Sequence, residues 1–217
     1  MQQKKPKIPS PVAKRLALYH RCVETLLKAG KEMISSKELG ERLSIKSSQI
    51  RKDLSYFGGF GKRGTGYNLN YLKEALEKIM GINRTWNIGV VGAGNIGTAL
   101  ANYEGLLKDG YDVVALFDRN PKKIGKTVGT RKIPIYDIKE MDEKIKEMSI
   151  EIGVIAVPSE YAQSIADRLM KCPEIKGIVN FAPVKIYVDK VKLEDVDISV
   201  SFKSLTFKIW SEVIGRE

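Results

Sequence analysis

Six consecutive residues, Gly92-Ala93-Gly94-Asn95-Ile96-Gly97, constrain this chain more than any others. They follow a short apolar run, Asn87–Val91, and precede apolar residues at helical spacing: Thr98, Ala99, Leu100, Tyr103 and Leu106. A strand, a glycine-rich turn and a helix in that order predict a dinucleotide-binding unit. Gly92 permits the turn, Gly94 lets a pyrophosphate approach the backbone, and Gly97 lets helix and strand pack closely. The helix start, with Ala93, Asn95 and Ile96 completing the loop, offers unpaired N–H groups to phosphate. A second strand, Asp112–Phe117, ends in Asp118, twenty-one residues beyond Gly97. A carboxylate there accepts hydrogen bonds from an adenosine ribose and opposes a 2′-phosphate, which favours NAD(H) over NADP(H). Neighbouring Arg119, Lys122 and Lys123 soften that preference.

The same alternation continues. Ile133–Tyr136 precedes a charged helix at 138–148, Ile150–Val157 precedes a helix at 160–171, and Gly177–Phe181 forms another strand. This predicts an α/β domain with a doubly wound parallel sheet of Rossmann type. Ligands bind at the carboxyl ends of such strands, so Val157, Pro158, Asn180, Phe181 and Ala182 are expected to line the nicotinamide side. A positively charged ring is costly to bury among such groups, so the neutral, reduced coenzyme should bind tighter. The tail repeats Phe202, Leu205, Ile209 and Val213 at helical spacing, an apolar stripe that needs a surface to cover: its own domain or a second subunit.

Charge divides the chain in two. Residues 1–84 carry 18 Lys and Arg against 7 Asp and Glu, whereas residues 85–217 carry 19 of each. The whole net charge of +11 therefore lies in front, as in a polyanion-binding module joined to a neutral one. In that front part Ser10-Pro11 predicts a helix start, followed by Val12, Leu16, Tyr19, Val23 and Leu26/Leu27 on one face, and Gly30 as the stop. Ser35-Ser36-Lys37-Glu38 reads as a capping box opening a short helix through Leu43. After the break Ser44-Ile45-Lys46, Ser47 caps a third helix with Ile50, Leu54 and Phe57 inward. This is a helix-turn-helix, with Ser48, Gln49, Arg51, Lys52 and Ser55 on the opposite face, able to donate to base edges. Lys46 and Tyr56, at the two ends of that helix, join the candidate DNA-contacting set. Five glycines in residues 58–67 predict a β-hairpin wing, anchored by Phe60 and Tyr67 and carrying Lys62 and Arg63 to the DNA. A fourth helix, 71–80, closes a winged-helix domain.

Met1–Pro9 is basic and polar with no apolar stretch behind it, so neither a cleavable leader nor a membrane span is expected. Cys22 and Cys172 are too few for a disulfide framework or zinc site, and both read as core residues of a cytoplasmic protein. No metal and no catalytic residue is expected. The single histidine, His20, falls in the first helix, only 34 residues follow Pro183, and no Tyr-x-x-x-Lys pair appears. A module that binds a coenzyme and reports on it fits better than an enzyme. The alternatives are a small NAD(H)-dependent oxidoreductase with a basic oligomerisation domain, and a chromatin-type protein with a vestigial dinucleotide fold.

Arg51-Lys52-Asp53-Leu54-Ser55-Tyr56-Phe57-Gly58, Arg63-Gly64-x-Gly66-Tyr67, Val91-Gly92-x-Gly94-Asn95-x-Gly97 and Asn180-Phe181-Ala182-Pro183 together resemble the Rex family of bacterial redox-sensing repressors. The resemblance runs from about Pro9 to about Trp210. It implies a homodimer that binds a palindromic operator when the NADH/NAD+ ratio is low and is released when NADH binds, NAD+ competing. It implies a C-terminal helix swapped between subunits, Arg51 and Lys52 in the major groove, and Arg63 in the minor groove. It also implies that Arg21, Tyr103 and Asp197 couple DNA domain, coenzyme domain and partner. One departure is Ile198, where some relatives carry an aromatic. The expected divisions are a winged-helix domain over 1–84, a Rossmann NAD(H) domain over 85–200 and a dimerisation helix over 201–217.

Overall fold

A computed structural model describes residues 9–60 and 66–214, and the chain divides into two compact units, residues 1–84 and 85–217. The first unit contains α1 (Ser10–Lys28), β1 (Met33–Ile34), α2 (Ser36–Leu43), α3 (Ser47–Ser55), β2 (Tyr67–Asn68) and α4 (Leu69–Met80). One stripe of α1, formed by Val12, Leu16, Tyr19, Val23 and Leu26, packs with Leu39, Ile50, Leu54, Leu72 and Leu76 into a single core. Each such side chain contributes roughly 1.5–3 kcal/mol when fully buried.

The helix starts differ from the sequence expectation in detail. Pro9 is the N-cap of α1, so Ser10 and Pro11 already lie inside the helix. Ser35 caps α2 by accepting the Glu38 N–H at 3.0 Å, but only half of the capping box forms. Glu38 turns instead to Lys31, at 2.5 Å, and Arg42, at 3.2 Å, because two cations outbid one N–H. Ser47 is the first residue of α3, not its cap; Lys46 holds that position. The turn between α2 and α3 needs Ser44 in the left-handed region, at φ 55°. It also needs Gly40, where a Cβ would lie 2.3 Å from the Ile45 carbonyl oxygen. Asn68 caps α4 by accepting the Tyr71 N–H, so that helix begins two residues before the expected start.

The expected wing hairpin is corrected in part. Tyr67 does lie in a strand, but β2 pairs antiparallel with β1, Ile34 opposite Tyr67, and Phe60 belongs to no strand. Buried Ile34 pins β1 to the core, and Gly66, at φ 82°, passes too close to the Ile34 carbonyl for any Cβ. The wing tip with Lys62 and Arg63 lies outside the described residues.

In the second unit seven strands form one sheet: β3 (Trp86–Val91), β4 (Tyr111–Asp118), β5 (Thr127–Val128), β6 (Ile133–Asp137), β7 (Ile152–Ile155), β8 (Gly177–Asn180) and β9 (Lys192–Asp195). Their order is β5-β6-β4-β3-β7-β8-β9, and only β5 runs antiparallel to its neighbour. The chain moves outward from β3 through β4 to β6, then returns to β7 on the other side of β3. That reversal opens a crevice at the carboxyl ends of β3 and β7. Helices α5 (Asn95–Asn102), α6 (Glu104–Lys108), α7 (Met141–Glu147) and α8 (Ser159–Leu169) accompany the sheet. Two apolar cores result, one around Phe117, Met141, Ile145 and Ile155, the other around Val90, Val113, Leu116 and Ile135.

The helix expected through Tyr103 and Leu106 breaks at Tyr103, whose backbone is extended, and resumes as α6. The helix expected at 138–148 opens with a 3-10 turn, Ile138–Glu140, before α7. The last helix, α9 (Ile198–Ile214), starts earlier than expected. None of its described side chains is buried, and the large apolar groups among them, such as Phe202, Phe207 and Trp210, are exposed. No helix among the described residues is long and apolar enough to cross a membrane.

Candidate functional site: a coenzyme crevice and a recognition helix

The three glycines of the fingerprint meet three different geometric demands. Gly92 sits at φ 105°, and a Cβ there would come within 2.3 Å of the Ala156 carbonyl oxygen on the neighbouring strand exit. A Cβ on Gly97 would lie 2.0 Å from the Gly92 carbonyl oxygen, so α5 closes on β3 only without one. Gly94 is the opposite case: nothing lies within 4 Å of a Cβ placed there. It is the N-cap of α5 and borders a cavity of about 420 Å³. A helix start with no side-chain cap leaves its first N–H groups available to a ligand oxygen.

The cavity gathers residues from the ends of four strands. Val91, Gly92 and Gly94 come from β3 and its loop, Phe117 to Asn120 and Lys123 from β4, Ile138 from beyond β6, and Ala156, Val157, Pro158 and Tyr161 from beyond β7. Its electrostatic centre is Asp118. Oδ2 accepts the Ala93 N–H at 2.9 Å and the Lys123 ammonium at 3.2 Å, and Oδ1 accepts the Asn120 N–H at 2.9 Å. Burial pushes the Asp118 carboxyl up, but those three donors together hold it below its ordinary value. Lys123 also donates to the Ala93 carbonyl at 2.9 Å, so one ammonium ties the glycine loop to the tip of β4. The Arg119 guanidinium stacks 4.3 Å above the Tyr161 ring.

Ala93, Asn95, Ile96 and Gly97 lie in the loop and the first turn of α5, next to Gly92 and Gly94, which line the cavity. Asn180, Phe181 and Ala182 do not line it. Asn180 is buried and committed: its amide nitrogen donates to the Val184 carbonyl and to Asp195, and its oxygen accepts the Ala182 N–H. It brackets the exit of β8 against β9. Ile138, just past the end of β6, and Tyr161, in the first turn of α8, also line the cavity, and no sequence motif marks either one.

On the recognition helix, Lys46, Ser48, Arg51 and Lys52 are exposed. Arg51 donates to the Ser36 hydroxyl at 3.0 Å, which rests its guanidinium against the start of α2. Ser55 is turned back to the Lys52 carbonyl, and Tyr56 is half-buried edge-on to Phe57. Gln49 is corrected: it is half-buried, and its amide donates to Asp53 at 2.7 Å instead of standing free on the outer face. Asp53, fully buried, also accepts from Tyr19 at 2.7 Å and twice from Arg15. An acceptor-only carboxylate with four donors is a stable hub, and it bolts α3 to α1.

Of the coupling residues, Arg21 is exposed on α1, Tyr103 is exposed at the α5/α6 break, and Asp197 caps α9 by accepting from Ser199 and Val200. No hydrogen bond joins Tyr103 to Asp197 among the described residues. His20 lies 3.4 Å from Glu77 and 3.8 Å from Glu24, three groups of ligand type, but the Lys73 ammonium already sits on Glu77. Cys22 is half-buried and Cys172 buried; burial pushes both thiols up.

Residues 83–184 match the CoA binding domain family, and residues 7–55 match the family described as a putative DNA-binding protein N-terminus. The chain is 53% identical over 203 residues to the redox-sensing transcriptional repressor Rex of Thermosipho africanus (strain TCF52B), covering 94% of this chain and 96% of that one. Among solved structures, it resembles RSP in complex with β-NAD+ and operator DNA, with a TM-score of 0.90 and 39% identity over 98% of this chain and 97% of the other. It resembles RSP in complex with β-NADH with a TM-score of 0.87 and 37% identity, covering 98% and 99%.

Proposed function

Because the chain belongs to the Rex family of redox-sensing transcriptional repressors, we propose that it represses through operator DNA bound by its first unit and lets go when NADH fills the crevice of its second. The observation that carries this reading is Gly94, a loop glycine that its own fold leaves open to a cavity of about 420 Å³. The loop backbone and the start of α5 meet the pyrophosphate, Asp118 meets the adenosine ribose, and Val157 and Pro158 offer an apolar wall beyond them.

NAD+ carries a charged nicotinamide and NADH a neutral one. An apolar wall penalises burial of the charged ring, so NADH is the tighter ligand and NAD+ its competitor. A ligand shifts only an equilibrium it distinguishes, and moving from 99% operator-competent to 1% takes about a 10⁴-fold preference.

The protein acts as a receptor, not a catalyst. Three donors, from Ala93, Asn120 and Lys123, hold the Asp118 carboxyl below its ordinary value, and Arg119 stacks on the Tyr161 ring, which supports binding of a coenzyme more than proton transfer to a substrate. Residues 1–84 form the DNA-binding domain and the following residues the coenzyme domain. The exposed apolar residues of α9 supply the contact of a homodimer, whose paired recognition helices meet a palindrome at half-sites ~34–36 Å apart. It works where its operator lies, in the cytoplasm. Calorimetric titration with NADH and NAD+ tests the reading: NADH binds tighter, and equal affinities overturn it.

A further inference from the structure

We infer that Lys123 is the second ligand of the adenosine ribose and sets how far the crevice tolerates a 2′-phosphate; this rests on the coenzyme reading above. Asp118 cannot hold both ribose hydroxyls. A carboxylate offers about four lone-pair sites. On Oδ2 two are taken, by the Ala93 N–H and the Lys123 ammonium, and on Oδ1 one is taken by the Asn120 N–H. One acceptor site remains, enough for one hydroxyl.

Lys123 supplies the complement. Its ammonium has three N–H donors. One goes to the Ala93 carbonyl and one to Asp118, and among the described residues the third has no partner. The side chain is 38% exposed and lines the same cavity. A vicinal diol therefore meets one open acceptor site, on Oδ1, and one open donor, on the ammonium 3.2 Å from Oδ2 of the same carboxylate. One hydroxyl donates to Asp118 Oδ1, and the other accepts from Lys123 Nζ.

The same pairing changes the electrostatics of discrimination. An acid at the end of β4 excludes a 2′-phosphate by repulsion only when its charge stands alone. Here Lys123 neutralises it at 3.2 Å, and Arg119 adds a further cation to the lining. Preference for NADH over NADPH is thus set by the balance of Asp118 against Lys123, and removing the cation should sharpen it.

The test is fluorescence titration of the full-length protein and its K123M variant with NADH and with NADPH. Losing the cation costs NADPH more than NADH, so the NADH/NADPH affinity ratio widens by about tenfold, a screened fraction of one charge-pair interaction. K123R, which keeps the charge, retains the original ratio. K123Q, which keeps a donor without charge, widens the ratio while holding NADH better than K123M does, and it serves should K123M melt early. A merely structural clasp between loop and strand predicts equal loss of both nucleotides, and an unchanged ratio in K123M and K123Q overturns the proposal. If the wild-type protein binds neither nucleotide, the coenzyme reading itself fails, and this inference with it.

Discussion

Arg15 donates two hydrogen bonds, of 2.6 and 2.8 Å, to the buried carboxylate of Asp53. Thirty-eight residues apart, the two fix the recognition helix to the longest helix of its unit. Burial pushes the Asp53 carboxyl up, but Arg15, Tyr19 and Gln49 hold it below its ordinary value. Replacing Asp53 with Ala leaves Arg15 and Tyr19 without their acceptor and should cost about 3 kcal/mol, the range for breaking a buried pair. Urea unfolding followed in the first unit measures it. A depressed folded pKa contributes stability that is complete above the unfolded value of about 3.9 and fades as pH falls through the folded one. Melting curves of the D53N variant should therefore depend less on acid below about pH 4 than those of the wild type.

The fingerprint glycines separate folding from binding. Gly94→Val has room in the fold and should leave the melting temperature within about 2 °C while abolishing NADH binding. Gly97→Ala forces a methyl against the Gly92 carbonyl and should cost about 2 kcal/mol or more, within the range for overpacking. Paired thermal melts and calorimetry separate the two; a G94V protein that unfolds as readily as G97A contradicts the assignment.

Arg51 should behave in the opposite sense to Gly94. Its exposed guanidinium rests on Ser36, a single hydrogen bond that DNA can displace. Arg51→Ala should weaken specific operator binding by about 10–100-fold, the worth of one good base contact, with NADH affinity unchanged. Fluorescence anisotropy on a labelled operator, beside an NADH titration, reads both. Loss of both activities together contradicts the division of labour between the two units.

The apolar side chains of α9 should govern assembly. With Phe202, Phe207 and Trp210 all exposed in the single chain, replacing Phe207 and Trp210 with Glu should convert a two-chain particle into a monomer. Light scattering coupled to size exclusion reports the mass. A wild-type protein that is itself monomeric at micromolar concentration removes the interface.

What could be read from the sequence was whatever a local pattern encodes. The strand before Gly92, the glycines themselves and Asp118 at the end of β4 follow from side-chain periodicity and from conformations only glycine permits. The recognition helix follows from Ile50 and Leu54 in the same way. What escaped was set by contacts distant along the chain. Gln49 turns inward to Asp53 because that carboxylate is buried against α1, where Arg15 and Tyr19 reach it from 38 and 34 residues away. Asn180, whose strand-end position predicts a coenzyme contact, also bonds to Asp195, fifteen residues on in β9, a tie that no local pattern encodes. The edge strand β5 is only two residues long, and β9, four residues long, is mostly exposed, so no apolar alternation announces either. The break at Tyr103 carries neither proline nor glycine at that position.

Release of DNA by NADH is read in an electrophoretic gel shift of the full-length protein on a palindromic operator fragment at about 150 mM salt, where non-specific phosphate binding is weak. Titrated NADH should release the protein from DNA, and added NAD+ should restore the complex. A shifted band that ignores NADH at every concentration, or release by NAD+ and NADH alike, contradicts the account.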